Sequence, residues 1–305
     1  MNEILDEIIY ENRKYLCEGQ VASYIPELKN GNKDALGIYI TTLEGKEYFG
    51  GDYYTKFTIQ SISKIITLAL AIMDNGIEYV FSKVGMEPTT EAFNSIVDLE
   101  MKNLNKPLNP MINAGAIAIS SMIKGDTSEE AFSRVLDFVR KLSGNEELDL
   151  NYNVYVSEKK TGNRNRSLAY FMKSTGVIEN DVEAVLDVYF KQCSIEVTCK
   201  DLSKIAAVFA NNGVIPWTGE RIIEKEVAQI VKTIMVTCGM YDGSGEFAVK
   251  IGLPAKSGVG GGILGVSPNK MGIGIVGPSL DKRGNSIGGV EVLKDLSQKL
   301  DLSIF

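Results

Sequence analysis

A serine and a lysine three positions apart, Ser61 and Lys64, form the strongest chemical signal in the sequence. They stand at the start of an apolar segment, Ile62–Met73, that is predicted to be a buried central helix. At this spacing both side chains share one helical face, and Ser61 would lie at the positive end of the helix dipole. Because burial lowers the pKa of a lysine, a neutral Lys64 amine could accept the serine proton. The alternative is a serine that caps the helix and a lysine that extends to solvent.

A second motif, Lys256-Ser257-Gly258, lies in a predicted C-terminal strand. An SxxK helix followed by a K-[ST]-G strand is the combination found in penicillin-recognising serine hydrolases. In that architecture the cation and the backbone N–H groups of the strand serve the substrate carboxylate and the oxyanion hole. The alternative is a surface lysine before a glycine turn. Both motifs in this order indicate serine acyl-transfer chemistry.

The chain has 305 residues and contains no histidine. This excludes a Ser-His-Asp triad, a Cys-His dyad, an imidazole general base, histidine-bearing zinc sites and axial-histidine haem ligation. Proton transfer in an enzyme would therefore use Lys, Tyr, Asp or Glu. A net charge of −7 and a pI near 5.0 disfavour nucleic acid or an anionic membrane as the main partner.

The N-terminal segment is acidic and amphipathic, so it lacks the basic start and apolar core of a signal peptide. The longest apolar run, near Ile65–Met73, is shorter than the roughly 20 residues that a membrane span requires. We therefore expect a cytoplasmic protein with no membrane partner. The cysteines are expected to be reduced and mostly buried, because none forms a CxxC pair: Cys17, Cys193, Cys199 and Cys238.

The order of predicted elements favours an α+β fold in a single domain, residues 1–305. One antiparallel sheet, built from both chain ends (about 1–60 and 240–305), would carry helices and an inserted helical lobe (about 61–239). Thr127 and Thr198 are predicted to cap two helices of that lobe. The predicted strands are Leu36–Thr42, Lys46–Gly50, Phe247–Gly252, Ala255–Val259, Gly262–Val266 and Gly272–Val276, and further helices are predicted at Ala131–Leu142, at about Val227–Cys238 and at about Gly289–Leu300.

Two glycine patterns, Gly260–Gly265 and Gly272–Gly277, match GxGxxG. Dinucleotide binding requires that such glycines open a helix within a βαβ unit. Here the flanking residues alternate as they do in strands, and Pro278 ends the second match. We interpret both patterns as strand glycines that allow close backbone packing.

Five longer segments resemble the serine-dependent glutaminase family, and the similarity extends from about Tyr24 to the last helix. That family adopts the β-lactamase/D,D-peptidase-like fold and hydrolyses L-glutamine to L-glutamate and ammonia without a metal or organic cofactor. The resemblance implies the same for this chain, together with assembly into a homodimer or homotetramer. The segments are Tyr24–Leu28, Gln60–Lys64, Asn109–Ala116, Ser194–Cys199 and Gly252–Val259.

Carried over position by position, the resemblance implies that Ser61 is the nucleophile, Lys64 its activating base and Tyr241 a partner in proton transfer. Which of Lys64 and Tyr241 is the main base in each step stays open. The backbone N–H groups of Ser61 and Val259 would form the oxyanion hole. The implied substrate-binding residues are Tyr24, Ser61, Asn113, Glu158, Asn165, Tyr189, Tyr241 and Val259.

These residue types suit a free amino acid, because its ammonium and its carboxylate both need partners when they leave water. Glu158 would pair with the ammonium, whereas amides and tyrosine hydroxyls would bind the carboxylate and the side-chain amide. Each position also has a structural alternative. Asn113, for example, could cap a helix that begins at Ala114.

Three other functions compete with this one. A β-lactamase or D,D-peptidase is disfavoured by the missing signal segment and by the lack of a suitable S-D-N motif. A non-catalytic amino-acid-binding protein on the same scaffold is disfavoured by the intact SxxK. A preference for asparagine depends on one methylene, which is worth only about 1–3 kcal/mol in a pocket, so it stays open.

Overall fold

A five-stranded antiparallel sheet forms the frame of the computed structural model, which describes residues 1–96, 99 and 106–305. The strand order is β2-β1-β7-β6-β5, so strands from early and late in the sequence meet where β1 pairs with β7. A separate two-stranded pair joins β3 and β4. The strands are β1 (Gly37–Thr42), β2 (Glu47–Gly51), β3 (Phe57–Thr58), β4 (Glu196–Val197), β5 (Ala255–Ser257), β6 (Gly262–Ser267) and β7 (Met271–Val276).

Most helices lie between β2 and β5 in the sequence. Residues 97, 98 and 100–105 fall within the predicted helical lobe and lie outside the described part. In the described part the helices are α1 (Asn2–Asn12), α2 (Ser63–Asn75), α3 (Ile77–Lys83), α4 (Asn113–Ser120), α5 (Ser128–Ser143), α6 (Tyr152–Thr161), α7 (Asn163–Ser174), α8 (Val182–Cys193), α9 (Cys199–Ala210), α10 (Lys225–Cys238), α11 (Ser244–Lys250) and α12 (Ile287–Leu300).

The sheet separates two hydrophobic cores, because residues along each strand alternate between its faces. Ile38 and Ile273 belong to the core shared with α1 and α12. Tyr39 and Leu264 belong to the larger core on the other side, which includes the apolar residues of α2 and α9. The mixed architecture with an antiparallel sheet, predicted from the sequence, is confirmed.

The strand glycines pack against a helix. A Cβ atom at Gly272 or Gly274 on β7 would come within 2.1 Å of the backbone of α9. This confirms that the second GxGxxG pattern belongs to a strand with a close backbone neighbour. Only glycine allows the sheet and α9 to approach this closely.

Two predicted helix caps are present. The Thr127 side chain accepts a hydrogen bond from the Glu130 backbone N–H at the start of α5. Thr198 and Asp201 form a reciprocal capping box at the start of α9. Both caps are therefore where the sequence predicts, although α5 begins at Ser128, three residues before the predicted start at Ala131.

The predicted strand Phe247–Gly252 is wrong, because residues Ser244–Lys250 form α11. The alternation of Phe247 and Val249 is typical of a half-buried strand. In the structure Phe247 is buried, whereas Val249 is 89% exposed on the outer side of the helix. Over so few residues, an alternating pattern does not distinguish a strand from a short helix.

No single helix in the described ranges is long and apolar enough to cross a membrane. Gln60–Asn75 and Ile77–Lys83 would together have the length and composition of a span, but the two segments are bent by 120° relative to each other. All four cysteines are free thiols. Cys193, Cys199 and Cys238 are buried, and Cys17 is exposed. The prediction of reduced, mostly buried cysteines is confirmed.

Candidate active site

Ser61 lies in a short 3-10 turn, Gln60–Ile62, that leads directly into α2. Gln60 has the uncommon left-handed backbone conformation, with φ of 48°. The hydroxyl of Ser63 donates a hydrogen bond to the Gln60 carbonyl at 2.8 Å and so holds this turn. Ser61 is therefore presented at the N-terminal end of a buried helix, where the helix dipole is positive.

Lys64 is 1% exposed, so it does not extend to solvent. Its Nζ donates hydrogen bonds to the Met111 carbonyl at 2.9 Å and to Asn113 Oδ1 at 2.8 Å. Burial lowers the pKa of Lys64 from 10.5 to about 8, although the nearby Cys193 and Glu158 act in the opposite direction. A substantial fraction of this amine is therefore neutral near pH 8.

Tyr241 brings a third group to the nucleophile. It begins a 3-10 turn between α10 and α11 and has a left-handed backbone, with φ of 55°. Its side chain shares a hydrogen bond with Ser61, and its hydroxyl lies 3.4 Å from the Ser257 carbonyl, to which it donates. Burial raises the pKa of Tyr241, and the bond to Ser61 partly offsets this effect. The structure thus brings Ser61, Lys64 and Tyr241 to one end of α2.

Lys256 is fully buried, which excludes the alternative of a surface lysine before a turn. Its Nζ donates to the carbonyls of Gly239 at 3.0 Å and Ser257 at 2.6 Å. It also lies 4.6 Å from the centroid of the Tyr241 ring. Burial lowers the pKa of Lys256, and the positive charge of Lys64 acts in the same direction. The Lys256 side chain thus supports the segment that carries Tyr241.

The loop after β5 lies against the nucleophile turn. A Cβ atom at Gly258 would come within 2.8 Å of the Ile59 carbonyl, and one at Gly260 within 2.5 Å of the Thr58 carbonyl. Glycine is therefore required for this close approach. It brings Val259, which lies between the two glycines and is buried, next to the segment that precedes Ser61.

Asn113 and Asn165 join the site through their side chains. Asn113 Nδ2 donates to Asn165 Oδ1 at 2.9 Å, while Asn113 Oδ1 accepts from Lys64. Asn113 is the first residue of α4, and its side chain makes no capping hydrogen bond there. The alternative that Asn113 merely caps a helix is therefore wrong.

Glu158 is buried on α6, and its Oε2 atom has no hydrogen-bond partner in the described part of the chain. Burial raises the pKa of Glu158 to about 8, whereas Lys64 and a hydrogen bond from Gln60 act in the opposite direction. An unpaired carboxyl oxygen at this depth is costly unless a cation or donor completes it. The arrangement therefore suits a ligand with a positive charge.

Tyr24 and Tyr189 both have Glu158 among their electrostatic neighbours. Tyr189 on α8 is buried, and the pKa of its hydroxyl is raised by that burial. Tyr24 is 54% exposed overall, but burial of its hydroxyl beside Glu158 raises its pKa as well. The structure thus gathers the two tyrosines around the carboxylate.

A cavity of about 490 Å³ adjoins this group of residues. Tyr24, Phe93 and Val259 form part of its wall, together with Leu280 and Gly284. The ring of Phe93 also packs against that of Tyr241, with 5.1 Å between centroids. The cavity offers a route from solvent to the side of the site that Tyr24 borders.

Three residues at the site were not predicted from the sequence: Gln60, Phe93 and Cys193. Gln60 hydrogen-bonds Glu158 and donates to Thr58 Oγ1 at 3.2 Å. The Cys193 thiol interacts electrostatically with Glu158 and Lys64, and burial raises its pKa. The position of Gln60 next to Ser61 is a local signal, whereas only the fold places Phe93 and Cys193 here.

No three His, Cys, Asp or Glu side chains among the described residues are close enough to hold a metal ion.

Replacing Gly115 by alanine is expected to lower the free energy of unfolding by about 1–3 kcal/mol, because the added methyl group would overpack α4 against backbone. Its Cβ would come within 1.9 Å of the Asn109 carbonyl and 2.9 Å of Pro110 Cα. Denaturant unfolding measures this change. Gly245→Ala is the matched control, since no atom lies within 4 Å of its Cβ. An alanine at position 115 that is as well tolerated as that at 245 would contradict the packing of α4.

The glutaminase family profile matches residues 19–305 of the chain. A glutaminase of Clostridium tetani is 67% identical over 305 residues, and one of Clostridium botulinum is 64% identical, each over the full length of both proteins. The crystal structure of a Bacillus glutaminase in 4.3 M NaCl aligns with a TM-score of 0.93 at 40% identity, covering 100% of this chain and 99% of that one.

A glutaminase of Bacillus subtilis, in covalent complex with 5-oxo-L-norleucine formed from 6-diazo-5-oxo-L-norleucine, aligns with a TM-score of 0.92 at 39% identity over 100% of this chain and 99% of that one. Relatives this similar over full length share both family and type of activity. The chain therefore belongs to the glutaminase family and is an amidohydrolase that acts on a linear amide.

Proposed function

We propose that this glutaminase hydrolyses L-glutamine to L-glutamate and ammonia through a covalent ester on Ser61, with Lys64 as the base that activates it. The main support for this proposal is the set of hydrogen bonds that Lys64 donates. A neutral amine has two hydrogens and one lone pair, and Nζ donates to two acceptors, Met111 O and Asn113 Oδ1. The lone pair is then available for the proton of Ser61, one helical turn away.

In the proposed acylation step, the Ser61 oxygen forms a bond to the side-chain carbonyl carbon of glutamine while its proton moves to Lys64. The backbone N–H groups of Ser61 and Val259 stabilise the oxyanion. Collapse of this tetrahedral species breaks the carbon–nitrogen bond, and ammonia leaves with a proton from Tyr241 or Lys64. The contact between Tyr241 and Ser61 supports a share for the phenol in this transfer.

In the proposed deacylation step, water attacks the ester carbonyl carbon and gives a proton to the same base. The base passes this proton to Ser61 as the ester C–O bond breaks and L-glutamate is released. The covalent complex of the Bacillus subtilis relative with 5-oxo-L-norleucine supports a covalent intermediate in this chain. No metal or cofactor enters either step.

Substrate recognition is proposed to centre on Glu158, whose unpaired Oε2 would bind the α-ammonium. Asn113, Asn165 and the hydroxyls of Tyr24 and Tyr189 would bind the carboxylate and the amide. Each member of this set is hydrogen-bonded or electrostatically coupled to another. Their grouping around one carboxylate supports an amino-acid substrate.

An ammonia-release assay on L-glutamine and L-asparagine, with nitrocefin hydrolysis in parallel, tests the proposed reaction. We expect ammonia from glutamine, release from asparagine about 10–200-fold slower because one methylene is missing, and no opening of nitrocefin. Hydrolysis of nitrocefin without ammonia from glutamine would contradict the proposal. Glutamine binding without turnover would favour the binding-protein alternative.

We also propose that residues 1–305 form a single domain with the β-lactamase-like fold and that it assembles into a homodimer or homotetramer in the cytoplasm. The joining of early and late strands in one sheet supports the fold. The four free thiols fit a reducing compartment. L-glutamine is the proposed partner, with no nucleic acid or membrane.

A further inference from the structure

A buried carboxylate outside the active site, that of Asp187, connects the helices that carry Glu158 and Tyr189. Asp187 lies on α8 and is 8% exposed. Its Oδ1 accepts hydrogen bonds from the Tyr155 hydroxyl and from Lys159 Nζ on α6, both at 2.5 Å. One oxygen atom therefore receives two donors from the helix that presents Glu158.

The charge of Asp187 is balanced within its own surroundings. Its Oδ2 pairs with Lys191 Nζ at 2.8 Å, and Lys191 in turn pairs with Glu129 of α5. Burial favours the neutral acid, but the hydrogen bonds from Lys159, Lys191 and Tyr155 prevail and lower the pKa of Asp187. The carboxylate is therefore ionised at neutral pH and acts as a fixed acceptor for α6.

Helix α6 needs such an anchor, because it buries a carboxyl group that water would solvate better. Its buried residues are Val154, Tyr155 and Glu158 alone. A small rotation of α6 would return Glu158 to solvent and relieve the cost of its burial. Tyr155 precedes Glu158 by one turn and Lys159 follows it directly, so their bonds to Asp187 oppose that rotation.

We propose that Asp187 is a positioning residue that sets the selectivity of the site for a substrate ammonium, by fixing α6 on α8 so that Glu158 stays buried beside Tyr189. The inference rests on the proposed function, because it requires that Glu158 binds the ammonium. Ser61, Lys64 and Tyr241 lie on other elements. Loss of Asp187 should therefore affect substrate binding more than chemistry.

Asp187→Asn tests the inference by steady-state kinetics and inhibition. We expect KM for L-glutamine to rise about tenfold, the order of effect that loss of a residue supporting a metal ligand has at metal sites, while kcat changes less than about threefold. The inhibition constant of L-glutamate should rise with KM, whereas that of glutarate, which lacks the ammonium, should not change. A general loosening of the fold would instead raise the inhibition constants of both L-glutamate and glutarate.

Tyr155→Phe removes a single hydroxyl from the same contact and should shift KM and the L-glutamate constant in the same direction by a smaller factor. If Asp187→Asn does not fold, Tyr155→Phe by itself tests whether the contact with Asp187 positions Glu158. Asp137→Asn is the matched control, because Asp137 pairs with Arg140 on the exposed side of α5. Its kinetic constants should equal those of the unmodified protein.

The inference would be overturned if KM and the inhibition constants were unchanged in both Asp187→Asn and Tyr155→Phe. It would also be overturned if the binding of L-glutamate and that of glutarate were weakened equally. Glu158→Gln separates this failure from that of the proposed function. If Glu158→Gln does not weaken the binding of L-glutamate relative to that of glutarate, Glu158 does not bind the ammonium, and both the proposed function of Glu158 and the inference are wrong. If Glu158→Gln has that effect and Asp187→Asn has none, the inference alone is overturned.

Discussion

Replacement of Ser61 by alanine is expected to reduce ammonia release from L-glutamine by about 10⁴–10⁶-fold, the order of loss when a serine nucleophile is removed. The fold should be retained, because the nucleophile turn is held by the bond from Ser63 to the Gln60 carbonyl and not by the Ser61 hydroxyl. L-glutamate should still bind, since Glu158 and the asparagines are unchanged. Ammonia release, calorimetric titration with L-glutamate and circular dichroism measure these three properties.

Ser63→Ala is the matched control for Ser61→Ala. Ser63 is two residues away and fully buried, and its hydroxyl bonds to backbone. Losing this hydrogen bond should lower the free energy of unfolding by about 0.5–1.5 kcal/mol. Even if all of it appeared in the activation free energy, the rate would fall by no more than about tenfold. Treatment with 6-diazo-5-oxo-L-norleucine followed by mass spectrometry should label Ser63→Ala and not Ser61→Ala. Labelling or substantial turnover by Ser61→Ala would contradict the role of Ser61.

Local spacing in the sequence predicts the parts of the site that one helix or strand determines. Ser61 and Lys64 share one end of α2 because three positions make nearly one helical turn. The same applies to the two helix caps and to the strand glycines, each of which is recognised within a few residues. The residues implied by the resemblance, such as Glu158 and Tyr189, could not have been grouped by periodicity alone, because they lie on different helices.

Other features depend on contacts between distant segments and so are not predictable from spacing. Lys256 is adjacent to a glycine turn, which suggests a surface position, yet the fold buries it beneath the Tyr241 ring. The left-handed backbone of Gln60 occurs in a turn that packs against the distant loop after β5. Asp187 and Lys191 are four positions apart on α8, a local spacing, but the two partners on α6, Tyr155 and Lys159, are recognisable only once α6 lies against α8.

The proposed mechanism requires that Lys64 is buried, because burial lowers the pKa of its amine. A solvent-exposed lysine stays protonated far above neutral pH and cannot accept a proton from serine. Complete burial favours the neutral amine, and no carboxylate of the described residues is bonded to Nζ. Burying this group and Glu158 nearby costs stability, which the hydrophobic core around α2 must offset.

The pH dependence of the rate should report the titration of Lys64 and Glu158. The pKa of Lys64 is lowered to about 8 and that of Glu158 is raised to about 8, and both must be deprotonated in the free enzyme. We therefore expect kcat/KM to fall below about pH 8, with a slope steeper than tenfold per pH unit. In the substrate complex the ammonium keeps Glu158 ionised, so that the acid limb of kcat reports Lys64 alone.

Lys64→Met is expected to lower kcat about 10²–10⁴-fold, the contribution of a general base. A sharper test replaces Lys64 by cysteine and alkylates it with 2-bromoethylamine, which restores an amine of the same length. The sulfur atom makes this amine less basic than lysine, so the acid limb of kcat should move to lower pH as activity returns. Because position 64 is buried, the chain is alkylated in the unfolded state and then refolded. The four native cysteines react as well under these conditions, so the unmodified protein is treated in the same way in parallel. An acid limb that stays in place would mean that Lys64 is not the base, and Tyr241 would then take that role.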